Sequence, residues 1–468
     1  MSLPRYRWTS ELTRYHWFVL IVAALGWMFD CLDQQIFNLA RQPAMDELVG
    51  SMPGANPAAT YGGYATSIFL IGWATGGLFF GVIGDRYGRA KTMLWTILMY
   101  SLCTGLSAFS RSFWDFAAYR FLTGVGVGGE FAVGVALVAE VMPDRARPHA
   151  LGLLQALSAV GNVAAAFIEM GASNLQAAGS LDGFAIFGQQ MSGWRLMFMV
   201  GTVPALLAIL IRWRLKEPEK WQASVKSGQN TRAGSYRELF GDPRWRKNAL
   251  VGMALAFAGV VGLWGIGFFS LDLLGRVFTR HYVETMGLTK DAARPEARNW
   301  VAISSILFNV GGFLGIWAYS RYTHRVGRRK AFALSFIAAM AATSFVFMNV
   351  DTVHRREVFG VMIFTDIIWM IPLMGFCQLA IFGGYAIYFP ELFPTRLRST
   401  GTSFCYNVGR FVAAIGPAAL GSLRTDVYGK YGEIASFRYS AATMCAVFLV
   451  GLIALPFAPE THNEPLPE

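Results

Sequence analysis

Charge is scarce in this chain. Asp, Glu, Lys and Arg make up 15% of its 468 residues, where a water-soluble domain carries about 25%. Cysteine is rarer still. Cys31, Cys103, Cys377, Cys405 and Cys445 all fall in apolar runs. There is no CxxC pair and no histidine at metal-ligand spacing, which argues against a disulfide framework or a zinc site. The five read as small core hydrophobes. No P-loop or Walker sequence is present, so ATP is not implied, and neither is an enzyme or a bound cofactor. A cleavable signal is missing too. The first apolar run begins near Trp17, contains Asp30 and Asp33, and is followed by no small-residue cleavage motif. It reads as a retained membrane span.

What the chain has in excess is apolar surface: 54% hydrophobic residues and a mean hydropathy of +0.41. A run of about 20 apolar residues crosses a bilayer. That ruler predicts twelve spans, near 17–40, 62–84, 92–110, 114–138, 149–170, 194–211, 248–274, 300–320, 330–350, 360–388, 400–422 and 437–458. Runs so long and apolar are read as helices, giving an all-α membrane protein. The net charge of +11 then has a simple origin. Basic residues gather in the N-terminal tail and in alternate loops, and ten of them lie in 212–247, whereas 171–193 has none. By the positive-inside rule both termini and the central loop are expected in the cytoplasm, so nucleic acid need not be invoked. The 276–298 loop, with Arg276, Arg280, Lys290, Arg294 and Arg298, is the exception.

The two sides of the central loop repeat each other. Arg86-Tyr87-Gly88-Arg89-Ala90-Lys91 follows the second span, and Arg325-Val326-Gly327-Arg328-Arg329-Lys330 follows the eighth. Glu140-Val141-Met142-Pro143-Asp144-Arg145 follows the fourth, and Glu391-Leu392-Phe393-Pro394-Thr395-Arg396 the tenth. The expected organisation is a six-helix half at 1–211, a loop at 212–247 and a second six-helix half at 248–468. Duplications of this kind build secondary transporters.

These residues carry a family resemblance. Gly81 to Arg89 resembles the G-x-x-x-D-R-x-G-R signature of the major facilitator superfamily, and Arg120 to Glu130 is similar to its fourth-helix signature. Pro390 to Arg396 and the tail from Pro459 are similar to motifs of the sugar-porter-like branch. Where sugar porters carry a glutamine pair in the seventh helix, this chain has Leu263-Trp264-Gly265-Ile266-Gly267-Phe268. The first helix, Gly26 to Asp33, is similar to that of organic acid:proton symporters of the aromatic-acid, sialate and nicotinate type. The resemblance implies proton-coupled uptake of a small organic anion by alternating access, by a monomer in the inner membrane, with the proton as coupling ion. A sugar or polyol porter and a drug or metabolite efflux antiporter are the alternatives, with a transport-dead sensor ranked below them. The second-half loop signature has His324 where its Asp belongs, so a symmetric gating role does not follow for it.

An ionisable group at mid-membrane is a functional candidate, because burying it costs several kcal/mol unless it is paired or hydrated. Asp30 lies about 20 Å from the inner end of its helix, and Asp33, three residues on, shares its face. Two carboxylates so close cannot both ionise cheaply, so this pair is expected to hold a proton. Arg120, which resembles the family arginine that assists proton transfer, and Glu130 complete the proton-coupling set. Arg410 lies about 16 Å along its helix; its planar fork suits a carboxylate, from the substrate or from Asp30. Asn407, one turn earlier, is expected to share its ligand. Trp27, Trp264, Phe268 and Tyr406, together with Tyr64 and Trp369, are candidates for the apolar body of a substrate. Asp85, Arg89, Glu140, Arg145, Glu391 and Arg396, at helix ends on the inner side, read as gating residues.

Overall fold

The computed structural model describes residues 8–50, 57–226, 233–263, 266, 268–352, 354–358, 361–413, 420 and 422–467. The first spans are α1 (Arg14–Val49), α2 (Pro57–Tyr87), α3 (Arg89–Ser107) and α4 (Phe113–Val141). A reciprocal box starts α1: the Thr13 hydroxyl accepts the His16 N–H and the His16 ring accepts the Thr13 N–H, both at 3.2 Å. The fifth span is α5 (Arg147–Ala156) continued by α6 (Ser158–Ala177), and the sixth is α7 (Gly193–Val200) with α8 (Ala205–Arg214). Two short helices, α9 (Glu219–Lys226) and α10 (Tyr236–Gly241), lie in the central loop.

The second half opens with α11 (Pro243–Gly262) and α12 (Phe268–Glu284) as its first span, followed by α13 (Lys290–Val326) and α14 (Arg328–Asn349). It ends with α15 (Ile367–Glu391), α16 (Arg398–Ala413), and a last span of Glu433–Met444 continued by Phe448–Ala454. Among the described residues eight helices are long and apolar enough to cross a membrane unaided. The third, sixth, seventh and eleventh spans are shorter or broken, and they are held by their neighbours.

One expected boundary is wrong. The tenth span does not begin at 360: Val361–Phe364 pairs antiparallel with Arg355–Val358, and the helix starts only at Ile367. An apolar run with β-branched residues reads alike as strand or helix by hydropathy. Asp366 closes this hairpin, accepting the His354 N–H at 2.8 Å and facing its ring at 2.9 Å. The N–H bond holds the Asp366 carboxyl below its ordinary range. The expected end of the eleventh span, beyond Ala413, falls largely outside the described residues.

Glycine sets how closely the helices approach. A Cβ on Gly76 of α2 would lie 2.0 Å from the Val125 carbonyl of α4, and one on Gly311 of α13 would lie 2.0 Å from the Pro372 carbonyl of α15. The two halves therefore repeat the same crossing. They meet where α16 packs on α2 and α4, and where α5 and α6 pack on α13. The exterior is apolar: Phe79, Trp114, Leu206 and Ile453 are all more than half exposed, while Arg89, Arg120, Arg398 and Arg410 are fully buried. This inside-out arrangement is what a lipid solvent requires.

Candidate functional site

A pocket enclosing about 830 Å³ of empty space, open solvent included, lies between the halves. Trp27 and Cys31 of α1, Trp73 of α2, Phe382 of α15, and Tyr406 and Arg410 of α16 form one part of its wall. Gln155, Ser158 and Asn162 of the fifth span face Asn309 of α13 in another, where Asn162 donates to Asn309 across the halves at 2.8 Å. Aromatic faces and amides thus surround a single guanidinium. Tyr64 and Trp369 are about half exposed on the outer surface and do not line it. Trp264 lies outside the described residues, as does the side chain of Phe268.

The two aspartates of α1 do not serve each other. Asp33 accepts the Thr104 hydroxyl at 2.5 Å and pairs with Arg120 at 3.5 Å. Arg120 is held further by Thr104, Ser107 and Thr123 at 2.9–3.1 Å, and its guanidinium lies 4.7 Å from the Phe198 ring. Asp30 instead has Glu130 of α4 as its neighbouring carboxyl group. Gly26, one turn before Asp30, leaves the room: a Cβ there would sit 2.4 Å from Glu130 Oε1. All four oxygens of these two residues are buried, and none has a hydrogen-bond partner. Two buried neighbouring carboxyl groups without donors are costly to ionise together, so the arrangement favours a proton on one of them. The expected Asp30–Asp33 pair is thereby replaced by two pairs that cross between helices.

Arg410 is 1% exposed and lines the cavity. Its Nη1 donates to the Tyr406 carbonyl at 2.6 Å and to Asn407 Oδ1 at 3.0 Å. Its carbon centre lies 4.2 Å from the Trp73 ring and 4.3 Å from the Tyr406 ring. Among the described residues no carboxylate reaches it, Asp30 included. Asn407 is not a lining residue. Its amide is packed against Gly77 and donates to Ser403 and to the Gly128 carbonyl. Asn407 therefore orients Arg410 from the seam between the halves and does not touch the cavity.

The gating candidates occupy the end that carries the central loop. Asp85 of α2 accepts the Ser399 N–H at 3.1 Å, the Thr400 N–H at 2.8 Å and the Thr400 hydroxyl at 2.6 Å. It thus caps α16, a helix of the other half. Arg89 bonds Asp85 at 3.0 Å and Glu140 at 2.9 Å, and the same Glu140 oxygen takes Arg398 at 2.8 Å. One carboxylate therefore bridges arginines from both halves. Glu391 pairs with Arg328 at 2.8 Å, and Arg396 with Glu238 of α10 at 2.7 Å. Arg145 is exposed, with no ion pair among the described residues; the buried arginine of its loop is Arg147, bonded to Asp144 and to the Ala139 carbonyl. The loop turns outward at Arg145, so that residue is not part of the lock.

The sequence model of the Major Facilitator Superfamily matches residues 17–417. The chain belongs to that superfamily. It is a multi-pass membrane transporter of small molecules and not an enzyme. It is 28% identical to the cis,cis-muconate transport protein of Acinetobacter baylyi, covering 88% of each chain. It is 26% identical to the niacin transporter NiaP of the same organism, over 93% of this chain and 94% of that one. The structure of the proton:xylose symporter XylE superposes with a TM-score of 0.69 at 16% identity, covering 97% of this chain and 98% of XylE.

Several residues of this facilitator escaped the sequence reading. Glu217 accepts the N–H groups of Arg89, Ala90 and Lys91 at 2.6–3.2 Å, capping α3, and Glu460 accepts those of Arg328 and Arg329 at 2.8 and 3.1 Å, capping α14. Each carboxylate occupies the space above a glycine, Gly88 (φ +111°) or Gly327 (φ +89°), where a side chain would collide with it. The available signal was a glutamate just past the sixth and twelfth spans, beside Pro218 and Pro459. Arg398 and Thr104 gave none, because their partners lie hundreds or tens of residues away.

Proposed function

We propose that this facilitator moves a small organic anion, a mono- or aromatic carboxylate, together with a proton. The observation that carries the reading is Arg410: a buried, permanent cation in the cavity wall with no carboxylate of its own among the described residues. A substrate carboxylate would complete it with two charge-assisted bonds, while the Trp27, Phe308 and Phe382 rings of the wall take an apolar body. The Asp30–Glu130 pair is the proton store, and Asp33 with Arg120 is a second station beside it. The names of the muconate and niacin relatives agree with an acid substrate.

In this reading the halves 1–211 and 248–468 rock about the cavity in the inner membrane, in a monomer with both termini and the 212–247 loop in the cytoplasm. One carboxylate moving with one proton carries no net charge. The pH gradient alone then drives uptake, about tenfold per unit. A second proton would add the membrane potential, about 2.3 kcal/mol per charge at 100 mV.

The amide wall at Gln155, Asn162 and Asn309 favours a second reading, a polyol porter, since carboxamides suit hydroxyl groups. Proteoliposomes loaded at pH 7.5 and diluted to pH 6.5 distinguish the two. Labelled benzoate, nicotinate or cis,cis-muconate should accumulate, whereas xylose should not, and Asp30→Asn should abolish accumulation. Uptake of xylose alone, or acid uptake indifferent both to the gradient and to Asp30→Asn, rejects the anion–proton reading.

A further inference from the structure

The proton pair and Arg410 are joined by a single stack of rings. Glu130 is followed on α4 by Phe131, and Tyr406 precedes Arg410 on α16 by one turn. The Phe131 and Tyr406 rings stack across the two halves, with centroids 4.1 Å apart and planes 26° from parallel. Trp27, three residues before Asp30 on α1, closes the third side, 4.6 Å from Phe131 and 6.5 Å from Tyr406. All three rings are at most 3% exposed. Tyr406 is also the residue that holds Arg410, through its carbonyl at 2.6 Å and its ring face at 4.3 Å. Each ring thus sits on the same helix and within about one turn of one ligand group: Phe131 with Glu130, Trp27 with Asp30, and Tyr406 with Arg410.

From this geometry we infer that the Phe131–Tyr406 stack is the coupling element of the transporter, the contact through which occupancy of the anion site and of the proton pair is read jointly. The inference rests on the anion–proton reading above. A carboxylate arriving at Arg410 competes with the Tyr406 carbonyl and ring for the guanidinium, which frees Tyr406 on the second half. Loss of the proton leaves two buried anionic carboxylates as neighbours between α1 and α4, and the repulsion moves Glu130 together with Phe131. Packed rings either stay stacked or separate, since close-packed contacts switch between discrete arrangements. Either event alone strains the stack from one side. The halves part at this level when both ligands are bound or both are absent, which is what coupled transport demands. Phe131 and Tyr406 are positioning residues in this account, acting through Glu130 and Arg410.

The test uses the full chain in proteoliposomes with whichever of labelled benzoate, nicotinate or cis,cis-muconate the unaltered protein exchanges fastest. Three quantities are read: exchange at equal pH, accumulation on a gradient of one unit, and proton leak without substrate, from an internal pH dye. The unaltered protein should exchange, accumulate about tenfold and show no leak. Phe131→Leu should retain exchange within about threefold, accumulate nothing beyond equilibration, and leak protons; Phe131→Tyr should restore all three readings. If Phe131→Leu is not recovered as monodisperse protein, Phe131→Met makes the same test. Tenfold accumulation without leak in Phe131→Leu overturns the inference, and so does equal loss of exchange and accumulation in both variants, which is what a merely structural ring would give. An unaltered protein that exchanges without accumulating, or carries none of the three acids, overturns the anion–proton reading and this inference with it.

Discussion

Arg410 can be weighed on its own, because its protein partners are neutral. A carboxylate bound to its fork gains hydrogen bonds worth about 1.5–3 kcal/mol each when charged. Arg410→Lys keeps the charge and loses both the fork and the flat surface that covers Trp73 and Tyr406. We predict a loss of acid uptake of about tenfold or more, with normal membrane insertion and an unchanged elution profile; unaltered apparent affinity for the acid would remove Arg410 from the binding site. That this arginine is buried was legible by counting residues from a loop. The proton pair was not. Helical spacing puts Asp33 beside Asp30, whereas the fold gives Asp33 to Arg120 and Asp30 to Glu130. Local spacing names neighbours on one helix, and in a bundle the decisive partner comes from another.

At the scale of elements, the lock on the central-loop side is made largely of helix caps. Asp85 does for α16 what Glu217 does for α3 and Glu460 for α14, but it does so across the seam between halves. A carboxylate at a helix N-terminus adds charge–dipole attraction to its hydrogen bonds, about 0.3–1 kcal/mol and up to 2 when partly buried. Asp85→Asn keeps an acceptor and loses the charge. We predict that it shifts the population toward the form open on that side by about fivefold, since about 1 kcal/mol is a factor of that size. Energy transfer between dyes on the two halves at that end measures the shift, and an unchanged distribution would show that Glu140 and Arg398 hold the seam without it. The sequence marked Asp85 as a gate by its motif. That it caps a helix more than 300 residues away was invisible there. Twelve spans were legible by length and hydropathy, and the hairpin at 355–364 was not, because four apolar residues look alike in strand and helix.

The whole molecule is two copies of one design with a break at His324. In the first half the corresponding position is Asp85, which reaches across the seam as an anion. His324, at the end of α13, also reaches across, but its ring meets that of His149 on α5 at 4.7 Å. Trp8 stacks on His149 at 5.8 Å, and His462 of the tail bonds the His324 carbonyl at 2.8 Å. Arg321 near His149 and Arg328 near His324 both disfavour a proton on these rings, although Arg328 is itself paired with Glu391. The contact thus favours two neutral rings. A proton on either would set like charges together, whereas an opened, water-filled seam accepts it freely, so acid on this side favours opening. The change is expected as the pH there falls below the ordinary histidine range, about 6.5. Spin-label distances across the central-loop end should lengthen between pH 7.5 and 5.5 in the unaltered protein and stay constant in the double variant His149→Phe, His324→Phe, which keeps two rings and removes their titration. An equal lengthening in the double variant would assign the pH response to the carboxylates of the opposite lock.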